Sequence, residues 1–267
     1  WLEENAGKIS KRMNSFYKMK NSFHNWTPDN KPTLKFIDFK LGNVCNLKCR
    51  ICGSWSSSKW AQEEMDYGEN PVARKHLTEG GWPKKNPQFF EDVKEVLEDV
   101  EYFEFTGGEP FMIHNHFKIL EHCVEKGYAK NQDIHYNTNG TQLPGRGIFD
   151  LWKHFKRVEI AFSIDDVGEP FEYQRYGANW KEVNHNLNQF KIYQTVNMQF
   201  QVCSTVNIFN IFKKVNADFL NRTLIEFEEK DVVGINIQNE EETITHLPNR
   251  HILKPIWQFI VISMVFA

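Results

Sequence analysis

Three thiols crowd into eight residues, Cys45-Asn46-Leu47-Lys48-Cys49-Arg50-Ile51-Cys52, at the spacing Cys-x3-Cys-x2-Cys. Thiolates are soft ligands that suit iron–sulfur clusters better than hard cations do. Three of them can hold three corners of an iron–sulfur cube and leave the fourth iron open to a ligand from outside the protein. A structural zinc site is the competing reading. Zinc wants four ligands, and no fourth cysteine or well-spaced histidine lies nearby. Lys48 and Arg50 sit within the loop, where they either tune a bound metal or stand as solvated loop charges.

The second stretch with chemical character is Gly107-Gly108-Glu109-Pro110, which follows the strand-like run EYFEFT. Two residues without side chains let backbone approach a ligand closely. Glu109 offers a carboxylate or a fixed carbonyl to an ammonium group, and Pro110 fixes the turn.

These stretches are carried by an alternation of strands and helices. Period-two patterning marks strands at Leu34–Leu41, Glu101–Thr106, Asp133–Thr138, Arg157–Asp165, Met198–Asn207 and Val232–Gln238. Helical spacing appears from about Trp55 to Met65, through Phe89, Val93 and Leu97, and through Phe117, Leu120 and Val124. It recurs near Gly147–Phe155, after an Asn179 N-cap with Glu182 three residues on, and through Phe212, Val215 and Leu220. Tyr67–Pro87 reads as a loop rich in Gly, Pro and Lys. Strands alternating with crossover helices imply a parallel α/β sheet, open or partly closed into a barrel. Sites in such folds form at the carboxyl ends of the strands.

Those ends collect the chemistry. After the first strand come the cysteines, and after the second GGEP. Strand three ends in Asn137 and Asn139, strand four in Ser163 and Asp165, and strand five near Thr205 and Asn207. Period two places His135 on the face of Asn137 and Asn139, as either core or substrate contact. Cys123 lies on an apolar helix face and reads as an inert core thiol; Cys203 reads as facing the barrel interior, a core thiol rather than a ligand. His114 and His116 are two apart and share no helix face.

Composition bounds the partners. The chain has 267 residues, a net charge of −3, and 40% hydrophobic and 25% charged residues, ordinary for a globular protein. Nothing in that balance favours nucleic acid or an anionic membrane. Lys8, Lys11, Arg12, Lys18 and Lys20 make the N-terminus locally basic, but Glu3 and Glu4 are mixed in, as on a solvated helical face. The five cysteines, an odd number with three clustered, argue against a disulfide framework and for a reducing, cytoplasmic setting. The uncharged run Ile256–Ala267 is too short to span a bilayer, which takes about twenty residues. It reads as a buried element or a cut edge. The opening at Trp1 rather than Met reads as a piece of a longer protein.

The cysteine triplet, with aliphatic Ile51 before its last member, and GGEP after the second strand together resemble the signatures of radical S-adenosylmethionine (radical SAM) enzymes. The resemblance runs from about Leu34 to Gln238. It implies a partial (β/α)6 TIM-like barrel in which Cys45, Cys49 and Cys52 bind a [4Fe–4S] cluster and SAM chelates the fourth iron. It implies reductive cleavage of SAM to a 5′-deoxyadenosyl radical that abstracts a substrate hydrogen, with a flavodoxin or ferredoxin as electron donor. By the same resemblance Gly107, Gly108, Glu109, Pro110, Asn137, Asn139, Ser163, Asp165 and Arg175 bind SAM. Arg175, in Tyr173-Gln174-Arg175-Tyr176-Gly177, matches an arginine near the SAM carboxylate, and backbone near Val206 edges the adenine. Ordinary strand-end capping, and a surface position for Arg175, are the plainer alternatives.

The openings Trp1–Gly7 and Ser10–Asn14 are similar to the segment after a Cys-x2-Cys pair in twitch-type radical SAM proteins, a relative of the SPASM type. The pair itself is absent, so no auxiliary cluster is expected within this chain. On this reading residues 1–33 are an N-terminal extension left from an upstream module, 34–240 the radical SAM core, and 241–267 a C-terminal segment. A peptide substrate rests on the twitch resemblance alone. The alternative function is a non-catalytic iron–sulfur electron-transfer or scaffold protein.

Overall fold

The computed structural model describes residues 33–210, 232–237 and 260–266, with Gly7 and Met13 singly. The N-terminal extension, its basic residues, the helix expected through Phe212 and most of the 241–267 segment lie outside the described residues.

Five strands pair in parallel and in chain order: β1 (Phe36–Lys40), β3 (Tyr102–Thr106), β4 (Asp133–Thr138), β5 (Arg157–Ser163) and β7 (Met198–Val206). Their ends fall within two residues of the sequence-based expectation. This is the α/β sheet with crossover helices that the alternating pattern implies. The sixth expected strand, β8 (Val232–Ile237), does not follow β7 directly. β9 (Ile260–Phe266) lies between them, antiparallel to both. The run read as a buried element or cut edge is thus a strand, as its β-branched and aromatic content allows. β1 and β8 are the two edges of the sheet.

One face of the sheet is apolar. Ile134, Tyr136, Val158, Ile160, Phe162, Phe200 and Val202 are buried there against the helices. Burying one such side chain contributes about 1.5–3 kcal/mol, and the aromatic members stack in series, Phe103 on Phe105 and Phe105 on Tyr136. The opposite face is polar and half-buried: Asp133, His135 and Asn137 on β4, and Arg157, Glu159 and Ser163 on β5. Polar side chains on a half-buried face fit contact with water or a ligand rather than a dry core, which penalises them.

The helices are α1 (Ser58–Asp66), α2 (Pro71–Glu79), α3 (Trp82–Lys85), α4 (Pro87–Asp92), α5 (Phe117–Glu125), α6 (Arg146–Trp152), α7 (Glu169–Gln174) and α8 (Trp180–Tyr193). Helices α2 and α3 correct the expected 67–87 loop. Asn70 caps α2 by accepting from Val72 N and Ala73 N at 3.1 Å, and Pro71 stands at the first helical position, where its missing N–H costs nothing. Reading Pro as a loop residue hides this helix start. The Asn179 cap of α8 is present, with its side chain accepting from Glu182 N at 3.2 Å. Among the described residues no helix is long and apolar enough to cross a membrane.

Candidate functional site

The cysteine loop leaves the carboxyl end of β1 and is clamped from three sides. From below, the first turn of α1 caps it. Ser57 Oγ donates to Leu47 O at 2.5 Å, Ser58 Oγ lies 3.3 Å from both Cys45 N and Cys45 O, and Trp60 Nε1 donates to Cys49 O at 2.8 Å. The Trp/Ser-rich run after the cysteines thus satisfies the loop's own backbone, as a tight turn around a ligand requires.

From the second side, a two-stranded ribbon pairs the loop with a segment 126 residues away. β2 (Lys48–Cys49) runs antiparallel to β6 (Arg175–Tyr176), with Cys49 opposite Arg175. Arg50 N donates to Gln174 O at 2.8 Å, and the Arg50 guanidinium lies 4.0 Å from the Tyr173 ring. Lys48 is ion-paired to Glu63 and lies 4.8 Å from the Tyr176 ring. Lys48 and Arg50 are therefore pinned rather than loose loop charges, and this pairing is invisible in local sequence patterns.

From the third side comes GGEP. Gly107 and Gly108 both have positive φ, +84° and +57°. A Cβ on Gly107 would lie 2.6 Å from Gly42 O, and one on Gly108 2.3 Å from Val44 O. The missing side chains let β3 press onto the backbone leading into Cys45, a closer need than approach to a ligand. Glu109 N also donates to Val44 O at 2.8 Å. Pro110 is buried and opens a 3-10 turn through Met112.

The remaining expected site residues divide into two groups. Glu109, Asn139, Asp165 and Arg175 are buried and engaged within the protein. The Glu109 carboxylate accepts from Thr138 Oγ1 and Asn139 N, each at 2.8 Å, and from Phe111 N at 3.2 Å. Its backbone carbonyl accepts from Met112 N. Burial pushes its carboxyl up to about 7, although those hydrogen bonds pull the other way. Asn139 accepts from Thr141 N at 2.9 Å and donates to Asn46 Oδ1 at 3.2 Å. Asp165 accepts from Thr205 N at 2.9 Å and forms an ion pair with Arg175 at 2.8 Å. Arg175 is only 7% exposed, not a surface residue. Asn137 and Ser163 form the second group. Both are half-buried on the polar sheet face, and neither side chain has a hydrogen-bond partner among the described residues.

The three thiols form one small buried cluster with Leu47 and Ile51, and N–H donors converge on them. Leu47 N reaches Cys45 Sγ at 3.5 Å, Asn139 Nδ2 the same sulfur at 3.7 Å, and Arg175 Nη1 reaches Cys49 Sγ at 3.8 Å. Burial raises the Cys45 thiol to about 11. Cys49 is drawn down to about 7, because it accepts from Cys52 and lies beside Arg175. Cys52 is raised correspondingly. Among the described residues no three His, Cys, Asp or Glu side chains are gathered as the ligands of one metal ion are. Thiols that neighbour one another without meeting at a point, two of them within reach of N–H donors, fit a cluster that takes each thiolate at a separate iron. Arg175 Nε is buried and makes no hydrogen bond among the described residues, a donor left over for an anionic group.

Other sequence candidates fall elsewhere. His116 is fully buried and Cys123 is buried in the core, while His135 sits on the polar sheet face with Nδ1 2.8 Å from Glu159. Cys203 is half-buried opposite Ser163.

No curated protein matches the chain in sequence. Among solved structures, native anSMEcpe with bound AdoMet and Cp18Cys peptide aligns at a TM-score of 0.49 and 20% identity, covering 74% of this chain and 49% of that one. Streptococcus suis SuiB bound to S-adenosylmethionine aligns at 0.38 and 15%, covering 72% and 40%. TYW1 with a lysine-pyruvate adduct bound aligns at 0.40 and 10%, covering 86% and 79%. The chain spans about half the length of the first of these and less of the second. None of the three bears on what this chain acts on. The model of the Radical SAM superfamily matches residues 39–214, which contain the cysteine loop, GGEP, the strand-end polar groups and Arg175. With about two thirds of its length matched, the chain belongs to the Radical SAM superfamily.

Proposed function

We propose that this chain is a radical SAM catalytic core that mounts a [4Fe–4S] cluster on Cys45, Cys49 and Cys52 and binds S-adenosylmethionine at the adjoining strand ends. The observation that carries the reading is the convergence of three clustered thiols with N–H donors from Leu47, Asn139 and Arg175 at the carboxyl end of a parallel sheet. When bound, the cluster and SAM supply a 5′-deoxyadenosyl radical that takes a hydrogen atom from substrate.

The chain's residues hold, orient and exclude. Ser57, Ser58 and Trp60 fix the loop so that the thiols stay gathered. Gly107 and Gly108 bring β3 against that loop. Glu109 acts indirectly: its carboxylate ties the end of β3 to Thr138 and Asn139 at the end of β4. Asn137 and Ser163 have polar groups to spare for SAM, and Arg175 Nε for its carboxylate. Leu47 and Ile51 keep water from the sulfurs. Cys52 is half-buried and Trp55 beside it is 56% exposed, so the loop reaches the surface, where a flavodoxin or ferredoxin can approach. The polar sheet face is where substrate would lie. A peptide remains the candidate class, on the likeness of the opening residues to twitch-type proteins.

Anaerobic reconstitution with iron and sulfide, followed by SAM and dithionite, is expected to yield 5′-deoxyadenosine. The Cys49→Ala variant is expected to lose both product and the cluster's visible absorbance. Retained cleavage in that variant would sink the reading. A cluster spectrum that SAM leaves unperturbed would favour a non-catalytic iron–sulfur protein, and one tightly bound zinc would favour a structural site.

A further inference from the structure

Among the described residues Arg175 is the one guanidinium buried at the cysteine loop, and its position is fixed twice. Its backbone pairs with Cys49 in the β2–β6 ribbon, and its side chain is held by Asp165, itself fully buried at the end of β5. From that position Nη1 reaches Cys49 Sγ at 3.8 Å. Asp165 is held in turn by Thr205 N at 2.9 Å. The loop's own two cations are engaged elsewhere: Lys48 pairs with Glu63, and Arg50 Nε donates to Tyr173 O at 2.8 Å.

A buried ion pair is a poor device for stability alone, since the cost of desolvating two charges consumes most of their attraction. In a low-dielectric setting, however, the field of a fixed charge on its neighbours is strong. We propose that the Asp165–Arg175 pair sets the reduction potential of a cluster held at Cys45, Cys49 and Cys52, with Arg175 raising it through Cys49 and Asp165 moderating that effect. The proposal rests on the cluster reading above. A cluster gains one negative charge on reduction. A guanidinium donating to a ligand sulfur stabilises the reduced form, and an adjacent carboxylate opposes it.

The two partners should therefore act with opposite signs, which loss of a merely structural contact does not do. The test is an EPR-monitored redox titration of the reconstituted chain in the absence of SAM, so that any part Arg175 takes in SAM binding does not enter. Arg175→Gln is expected to shift the potential negative. Asp165→Asn keeps an acceptor for Thr205 N but leaves the guanidinium uncompensated, and is expected to shift it positive. An unchanged or positive-going value in R175Q, or an unchanged or negative-going value in D165N, overturns the proposal. If R175Q fails to retain its iron, the direction of D165N alone decides. A wild-type chain that takes up no cluster, seen from its iron and sulfide content, overturns the parent reading and this one with it.

Discussion

Asn139 Nδ2 lies 3.7 Å from Cys45 Sγ, although 94 residues separate the two in sequence. The same asparagine receives the Glu109 carboxylate on its backbone N–H. Cys45 is thus joined through one residue, by its side chain and its backbone N–H, to the ends of both β3 and β4. Asn137, two residues earlier, makes no such bond and stays half-buried on the polar face.

The two asparagines are expected to separate in experiment. Asn139→Ala removes bonds to Asn46, Thr141 and Cys45. Leaving buried partners unmet costs about 1–3 kcal/mol, so thermal unfolding should come several degrees earlier and reconstituted iron should be lost faster. Asn137→Ala is expected to leave the unfolding midpoint nearly unchanged and to weaken SAM binding in equilibrium dialysis. The opposite pattern would exchange their roles.

The glycines of GGEP make a second test. Gly108→Ala forces an L-residue to φ +57° with its Cβ 2.3 Å from Val44 O. Strained backbone costs about 1–3 kcal/mol, more than the ~0.4–1 kcal/mol that stiffening the unfolded chain returns. Gly147, inside α6, has open space around its Cβ position and no positive φ. Gly147→Ala is expected to stabilise by about 0.5–1 kcal/mol through helix propensity. Chemical denaturation of the two variants should move the midpoint in opposite directions.

Why the sequence disclosed the strands and the thiols but not the wiring follows from range. Alternation over β4 and β5 is a local signal, and so is Cys-x3-Cys-x2-Cys. The pairing of Cys49 with Arg175, or of Cys45 with Asn139, spans about a hundred residues and leaves no periodic trace. The same limit explains Glu109. Its motif suggests a ligand contact, but only the fold shows its carboxylate filled by Thr138, Asn139 and Phe111. β9 is ambiguous in sequence for another reason: an apolar run of strand length fits a buried helix or a strand equally well.

Trp60 tests the clamp under the cysteines. Its indole N–H donates to Cys49 O at 2.8 Å, and its ring lies 6.0 Å from Lys48 Nζ. Trp60→Phe keeps most of the apolar contact and removes the donor. The expected loss is about 1 kcal/mol of stability, with faster release of iron to a chelator than from the wild type. Equal release rates would show that Ser57 and Ser58 suffice to hold the loop.

The clearest pH dependence belongs to His116, outside the candidate site. It is fully buried against Phe105 and Phe117, its Nδ1 is bonded to Ile113 O, and Tyr136 lies at 2.9 Å from its Nε2. Nδ1 therefore donates to the carbonyl, and Nε2 accepts from the tyrosine hydroxyl. Burial disfavours the charged ring and lowers its titration from 6.5 to about 3. The unfolded chain thus takes up this proton first as pH falls. The contribution is fully present above pH ~6.5 and is lost progressively toward pH ~3, on the order of 5 kcal/mol in all. In the apo-protein, denaturant midpoints between pH 7 and 4 are expected to fall more steeply for the wild type than for His116→Gln, which cannot titrate. The variant should start from lower stability at pH 7 because its bonds to Ile113 and Tyr136 are altered. Parallel slopes for the two proteins would show that His116 does not carry the acid sensitivity.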